Sequence, residues 1–193
     1  MECRTVGVLG LQGDYQAHIR MLERAGAPAQ VVKKPDQLDQ VHGLIMPGGE
    51  STTLIKLMDA YSFWEPLQAF AGAGKPILGT CAGMILLAGQ VLNPAQKSLG
   101  LIDVTVERNS YGRQIDSFEG VGTFTGGPHA LELPMVFIRA PRLRAMGPGV
   151  ESLATCNDDC VMARQGSVLV ASFHPELTGD LTVHRYFLDL VGA

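Results

Sequence analysis

The first eighty residues alternate between two patterns of apolar positions. Short apolar runs predict buried strands, and between them apolar residues recur every three or four positions, which is the spacing of an amphipathic helix. The predicted strands are 5–11, 29–32, 43–46 and 77–80, and the predicted helices are 14–25, 51–59 and 63–73, with Ser51 as a helix N-cap. Strands that alternate with helices favour a parallel sheet covered by helices on both faces.

The pattern changes in the second half of the chain. Helical periodicity is weak between about residues 101 and 170, where Gly and Pro separate short apolar runs. Such runs predict further β-structure, with hairpins that extend the sheet. Residues 182–191 have the pattern of a closing helix. Because no repeat, low-complexity tract or linker interrupts the sequence, we predict one α/β domain over residues 1–193.

Composition and charge narrow the class of protein. The chain has 193 residues with 46% apolar content, which suits one soluble domain with a full core. Its formal net charge of −4 offers no basic surface for nucleic acid or an anionic membrane. No apolar run approaches the roughly 20 residues that a membrane span needs. The N-terminal residues lack a signal-peptide layout, so a cytoplasmic location is expected.

The four cysteines are too few for a disulfide framework in a chain of this length. Cys156 and Cys160 flank a polar Asn-Asp-Asp run, a spacing that a metal half-site could use. No second Cys/His pair matches it, so we interpret the segment as a polar turn and expect no metal.

Cys81 has the sequence setting of a nucleophile. The run 79–83, Gly-Thr-Cys-Ala-Gly, follows a predicted strand and precedes an apolar stretch of helical type. Strand, sharp turn and helix form a nucleophile elbow, which projects the side chain from the end of the strand. The sulfur would lie at a helix N-terminus, where the dipole favours a thiolate over a thiol. Considered alone, Cys81 would be interpreted as an inert buried thiol.

The downstream run His174-Pro175-Glu176 supplies the groups that would activate such a thiol. Alone, His174 would be a histidine satisfied by local hydrogen bonds and Glu176 a surface carboxylate. Two residues apart on an extended backbone, with Pro175 restricting φ, they would project to one side. Glu176 could then hold the His174 tautomer, as in nucleophile-His-acid triads. The preceding strand, 168–171, could deliver His174 to the sheet edge where Cys81 lies.

The run 47–51, Pro-Gly-Gly-Glu-Ser, ends another predicted strand at this edge. A plain β-turn followed by a cap at Ser51 explains it locally. Alternatively, Gly48 and Gly49 present a backbone N–H to an oxyanion, with the N–H of Ala82 as the second donor.

These runs together resemble the class I, triad-type glutamine amidotransferase family. Within it, they are similar to the glutaminase subunits of pyridoxal 5′-phosphate synthase. The resemblance extends from about residue 6 to residue 188, and the run 108–118 is its most specific marker. The runs that carry it are 7–13, 47–53, 79–83, 108–118, 137–141 and 172–178.

The resemblance implies a three-layer, flavodoxin-like αβα fold and hydrolysis of L-glutamine to glutamate and ammonia. It implies Cys81 as the nucleophile, His174 as the base and Glu176 as the residue that orients the base. Its substrate-binding positions correspond to Gly48, Gly49, Glu50, Arg108, Ile138 and Arg139. It also implies that a separate synthase subunit receives the ammonia and that no cofactor is bound to this chain. A guanidinium such as Arg108 can hold the α-carboxylate of glutamine through paired hydrogen bonds.

Two alternatives share part of this pattern. A glutaminase that serves another acceptor, such as imidazole glycerol phosphate synthase, would have the same triad, although the run 108–118 argues against it. A non-catalytic α/β binding protein could use Cys81 as a reactive thiol, but it would not need His174 and Glu176.

Overall fold

The computed structural model describes residues 4–108 and 117–192. Twelve strands and five α-helices lie in these ranges. The strands are β1 (Val6–Leu9), β2 (Ala29–Val32), β3 (Gly43–Met46), β4 (Ile77–Thr80), β5 (Ala88–Leu92), β6 (Ile102–Glu107), β7 (Ser117–Phe124), β8 (Leu131–Ile138), β9 (Arg142–Met146), β10 (Glu151–Cys156), β11 (Asp159–Gln165) and β12 (Val168–Ala171). The helices are α1 (Tyr15–Arg24), α2 (Ser51–Ala60), α3 (Trp64–Gly72), α4 (Ala82–Leu87) and α5 (Thr182–Gly192), with short 3-10 helices at Pro35–Gln40 and Pro175–Leu177.

A nine-stranded sheet in the order β2-β1-β3-β4-β12-β11-β10-β7-β8 forms the centre of the fold. Its first five strands are parallel, and the remaining four are antiparallel. β12 pairs with β4 in register, with Ala171 opposite Thr80. The end of the late strand therefore lies beside the residue that precedes Cys81.

Helices cover both faces of this sheet, which gives three layers. Apolar residues of α2, α3 and α4 pack on one face, and those of α1 and α5 pack on the other. The strands between them are almost fully buried, which explains their continuous apolar runs. The predicted αβα fold with an extended parallel sheet is therefore confirmed.

The small sheet formed by β5, β6 and β9 was not predicted. We expected the strands of the second half to extend the main sheet, and β7, β8, β10 and β11 do so. β6 instead pairs with β5, which follows α4 without a break, and β9 pairs with β6. Among the residues that the structure describes, no helix is both long and apolar enough to span a membrane.

The segment between Cys156 and Cys160 is a tight hairpin turn between β10 and β11. Asn157 and Asp158 both have positive φ, 49° and 65°, as a two-residue hairpin turn requires. Both cysteines are free thiols. Within residues 4–108 and 117–192, no group of three potential metal ligands is present. The strand pairing and the two positive φ angles confirm the interpretation of this segment as a polar turn.

Candidate active site

A cavity of about 320 Å³ opens at the carboxyl ends of the parallel strands. This edge is where open α/β sheets bind ligands. Seven of the ten candidate residues line the cavity: Gly49, Glu50, Cys81, Arg108, Ile138, Arg139 and His174. Ser51, Ile85 and Pro141 complete the lining. The other three candidates are not part of the lining: Gly48 and Glu176 adjoin His174, and Ala82 directly follows Cys81.

Cys81 lies on the turn between β4 and α4 with φ 49° and ψ −104°. A non-glycine residue rarely adopts this conformation, and it stores roughly 1–3 kcal/mol of backbone strain. The Cys81 N–H donates to the carbonyl of Ala171 at 2.8 Å, which ties the elbow to β12. A Cβ on Gly83 would lie 2.0 Å from the carbonyl oxygen of Met46, so only glycine lets α4 approach β3 this closely. These contacts hold the elbow in place.

His174 and Glu176 are in contact, but not through the extended backbone that we expected. Pro175 begins a 3-10 helix, for which His174 is the N-cap residue with φ −106° and ψ 87°. This turn brings the carboxylate back to the ring, and Glu176 Oε1 accepts a hydrogen bond from His174 Nδ1 at 2.7 Å. Proline suits the first position of a helix because its missing N–H has no helical partner there. Pro175 therefore initiates a turn rather than extending the chain.

The two side chains stabilise each other's charged forms. Burial disfavours the charge on His174, but its interactions with the Cys81 sulfur and the Glu176 carboxylate outweigh burial and raise its pKa from 6.5 to about 10. Burial alone would raise the pKa of Glu176, but His18 and His174 lower it below its ordinary value. The ring is therefore an imidazolium and its partner a carboxylate at neutral pH.

Gly48 lies between the nucleophile and the base. A Cβ at this position would lie 2.4 Å from His174 Cε1 and 3.3 Å from Cys81 Cβ. Gly49 has φ 150°, and a Cβ there would lie 2.5 Å from Gln12 Oε1. That oxygen accepts the N–H of Glu50 at 2.9 Å. Glycine is required at both positions, and Gln12 holds the peptide that follows them.

The charged side chains of Arg108 and Glu50 form part of the cavity lining. Arg108 Nη2 lies 3.6 Å from Glu50 Oε1, and the Arg108 side chain is only 12% exposed, whereas that of Glu50 is 50% exposed. Glu50, rather than Ser51 as we expected, is the N-cap residue of α2, because its carboxylate accepts the N–H of Thr53 at 2.9 Å. A hydrogen bond from the Thr52 hydroxyl is the main cause that lowers the Glu50 pKa.

The last residue of β8 and the segment that follows it close the cavity near the sulfur. The Ile138 carbonyl oxygen lies 3.9 Å from Cys81 Sγ, and Arg139 has a positive φ of 45°. Ala82 is buried as the first residue of α4. Residues 109–116, most of the run that marks the resemblance, lie outside the described residues.

Sequence reasoning missed several residues of this region. Gln12 was part of a glycine-rich run that received no role in the site, although its position at the end of β1 places it at the correct edge. His18, Thr80 and His184 lie beneath the triad, and no local pattern identifies them, because His18 and His184 are 166 positions apart.

A family model, that of the SNO glutamine amidotransferase family, matches residues 8–192. The chain belongs to this family. A relative from Geobacillus kaustophilus, named pyridoxal 5′-phosphate synthase subunit PdxT, is 53% identical over 193 aligned residues, covering 96% of this chain and 94% of the relative. The relative of the same name from Thermosipho africanus is 51% identical over 186 residues, covering 96% and 98% respectively.

Solved structures agree with this membership in the SNO glutamine amidotransferase family. A crystal structure described as a glutamine amidotransferase has a TM-score of 0.90 and 46% identity, covering 97% of this chain and 99% of that one. The structure of PurLQS from Thermotoga maritima has a TM-score of 0.74 at 17% identity, covering 98% and 99%, and shows a shared fold alone. As a glutamine amidotransferase of this family, the protein is an enzyme that hydrolyses glutamine.

Proposed function

We propose that this chain is the glutaminase subunit of a pyridoxal 5′-phosphate synthase and that Cys81, His174 and Glu176 perform its chemistry. The observation that carries the proposal is the identity of 53% over nearly the full length to a relative of that name. The geometry supports it, because a strained cysteine and an imidazolium line one cavity and a buried carboxylate accepts a hydrogen bond from that imidazolium.

Hydrolysis would begin with attack of the Cys81 sulfur on the side-chain amide carbon of glutamine. The sulfur would attack as a thiolate beside the positive charge of His174, and the same ring carries the proton that the leaving ammonia needs. Loss of ammonia leaves a glutamyl thioester and a neutral His174. That ring then takes a proton from water, whose oxygen attacks the thioester and releases glutamate. Throughout, Glu176 holds Nδ1–H and so directs Nε2 toward the reacting atoms.

The remaining candidates would bind the substrate. Backbone N–H groups around Gly48 and Gly49, together with that of Ala82, would stabilise the oxyanion of the tetrahedral intermediates. The guanidinium of Arg108 is suited to the α-carboxylate of glutamine, and Glu50 is suited to its α-ammonium group. Ile138 and Arg139 would close the cavity over the substrate.

The ammonia would pass to a synthase subunit that assembles pyridoxal 5′-phosphate from pentose and triose phosphates. We place the pair in the cytoplasm, where a free catalytic thiol stays reduced. The test is a reaction of this chain, the synthase subunit, both sugar phosphates and glutamine labelled with ¹⁵N in its amide. We expect ¹⁵N in the pyridine ring of the product. Label that remains as free ammonium, despite confirmed formation of the complex, would contradict the assigned acceptor.

A parallel reaction, in which the cyclase subunit of imidazole glycerol phosphate synthase replaces the synthase subunit, separates the alternatives. A glutaminase for imidazole glycerol phosphate synthase would release labelled ammonia only in this second reaction. A binding protein with a reactive thiol would release no glutamate in either reaction.

Gly48→Ala tests the close packing around the triad. The added methyl would lie 2.4 Å from His174 Cε1, so the ring must leave its present position in the triad. We expect kcat to fall about 10²- to 10³-fold, as when one transition-state contact is lost. Gly72→Ala is the matched control, since a Cβ there has no neighbour within 4 Å. Wild-type kcat in a folded Gly48→Ala protein would show that this packing does not matter.

A further inference from the structure

A second layer of buried polar side chains lies beneath the triad, on the side away from the cavity. It consists of His18 from α1, His184 from α5 and Thr80 at the end of β4, all fully buried. His18 Nδ1 lies 3.0 Å from His184 Nε2, and His18 Nε2 lies 3.3 Å from Thr80 Oγ1. The same Nε2 lies 3.2 Å from Oε2 of Glu176. The mechanism described above uses none of these three side chains.

Within this layer, His18 is the candidate hydrogen-bond donor for the second carboxylate oxygen of Glu176. Oε1 accepts from His174, whereas Oε2 is buried and has no fully aligned hydrogen-bond donor among the described residues. His18 Nε2 is at hydrogen-bonding distance from Oε2, and the same nitrogen also lies within hydrogen-bonding distance of the Thr80 hydroxyl oxygen. Leaving a carboxylate oxygen buried without a donor is costly, which favours an N–H rather than a lone pair on the His18 Nε2 that lies 3.2 Å from it.

The charges around His18 fix its protonation state. Burial lowers its pKa, as does the positive charge on His174, and these effects outweigh Glu176 and Asp14, which raise it. Burial also lowers the pKa of His184, to about 3. Both rings are therefore neutral at physiological pH, and each carries one N–H.

One arrangement of these two protons keeps the contact between the two rings and also gives Glu176 Oε2 a donor. If His18 is protonated at Nε2 to face Glu176, its Nδ1 is an acceptor, and His184 must donate from its own Nε2. His184 Nδ1 is then a bare nitrogen, which agrees with its lack of a hydrogen-bond partner in the described part of the chain. His184 thus sets the tautomer of His18, and His18 in turn presents its proton to Glu176.

We propose that His18 is a positioning residue, which orients the Glu176 carboxylate toward His174 with a neutral hydrogen bond whose direction His184 fixes. The inference rests on the proposed function of the triad. A neutral donor suits this place, because a cation there would compete with the His174 imidazolium for the negative charge of Glu176. His18 does not line the cavity, so it acts through Glu176 rather than on glutamine.

Two variants of His18 test this role, measured as glutamate release by the complex with the synthase subunit. His18→Leu fills similar space but has no donor, and we expect kcat to fall about 10- to 100-fold with KM for glutamine unchanged. His18→Gln can place an amide N–H near the position of Nε2. We expect it to restore kcat to within about threefold of wild type. If both variants lose the same activity, or if His18→Leu retains wild-type kcat, the positioning role is wrong.

A double-mutant cycle separates positioning from packing. If His18 acts through Glu176, adding His18→Leu to Glu176→Gln lowers kcat little further, because the carboxylate that it orients is already gone. A purely structural His18 would multiply the two losses and would lower the melting temperature of the Leu and Gln variants alike. If Glu176→Gln alone has no effect, the proposed triad fails. If Glu176→Gln impairs catalysis and His18→Leu does not, this inference alone fails.

Discussion

Replacing Cys81 with alanine is expected to abolish glutamine hydrolysis, lowering kcat by about 10⁶-fold, as loss of a catalytic nucleophile does in other triad enzymes. The thioester cannot form without the sulfur, and among the described residues that line the cavity no other carries a thiol. The fold should survive. The sulfur borders the cavity rather than the interior, so its removal leaves no new void in the core.

The controls follow from the position of each thiol. Cys160→Ala removes a thiol in β11, outside the cavity lining, and should leave kcat unchanged. Cys81→Gly should be as inactive as Cys81→Ala but more stable, because glycine tolerates the positive φ of the elbow. Added ammonium should restore pyridoxal 5′-phosphate formation to a complex that contains Cys81→Ala. Glutamate release at the wild-type rate by a folded Cys81→Ala protein would refute the mechanism.

The strands and helices of the parallel half of the fold could be predicted because their sequence patterns are local. Glycine or proline occurs within three residues after each of these predicted strands, and strands β2, β3 and β4 have the predicted bounds. β5 could not be recognised in the same way, because the apolar run of α4 continues into it at Ala88. Pairing with β6 decides where the helix ends, and that contact is not local.

The residues of the candidate site differ in the same way, because some have local signals in the sequence and others do not. Cys81, His174 and Gly48 carry local signatures of chemistry or of tight turns. Arg108 was identified by the family resemblance alone, because an isolated arginine in a sequence is normally interpreted as a solvent-exposed charged residue. The extended backbone that we predicted from His174 to Glu176 was wrong, because proline is compatible with both an extended chain and the first turn of a helix. Tertiary packing decides between them.

Glu176→Gln is expected to lower kcat by about 10⁴-fold, which is less than the loss expected for His174→Ala. The amide is close to the carboxylate in shape, so the backbone turn at Pro175 should remain. What is lost is the negative charge that stabilises the His174 imidazolium and the acceptor that fixes its tautomer. His174→Ala removes the proton carrier itself, so no residue transfers a proton to the leaving ammonia.

The pH profile identifies the physical cause of that loss. In the wild type, the pKa of His174 is raised to about 10, so kcat/KM should fall on the alkaline side only as pH rises through that value. Glu176 contributes to the increase, whereas burial acts in the opposite direction. Glu176→Gln therefore moves the alkaline limb to lower pH. Because the folded-state pKa lies above the unfolded value of 6.5, the stability from this pair is present below 6.5 and is lost as pH rises toward 10.

Two measurements on purified complexes check this prediction. The first is kcat/KM for glutamine between about pH 5 and about pH 10.5, a range that includes both the ordinary pKa of 6.5 and the raised pKa of about 10. The second is the melting temperature over the same range, where the advantage of wild type over Glu176→Gln should shrink with rising pH. A variant with low kcat but an unshifted alkaline limb would mean that Glu176 orients His174 without stabilising its charge. A variant with wild-type kcat would remove Glu176 from the proposed mechanism.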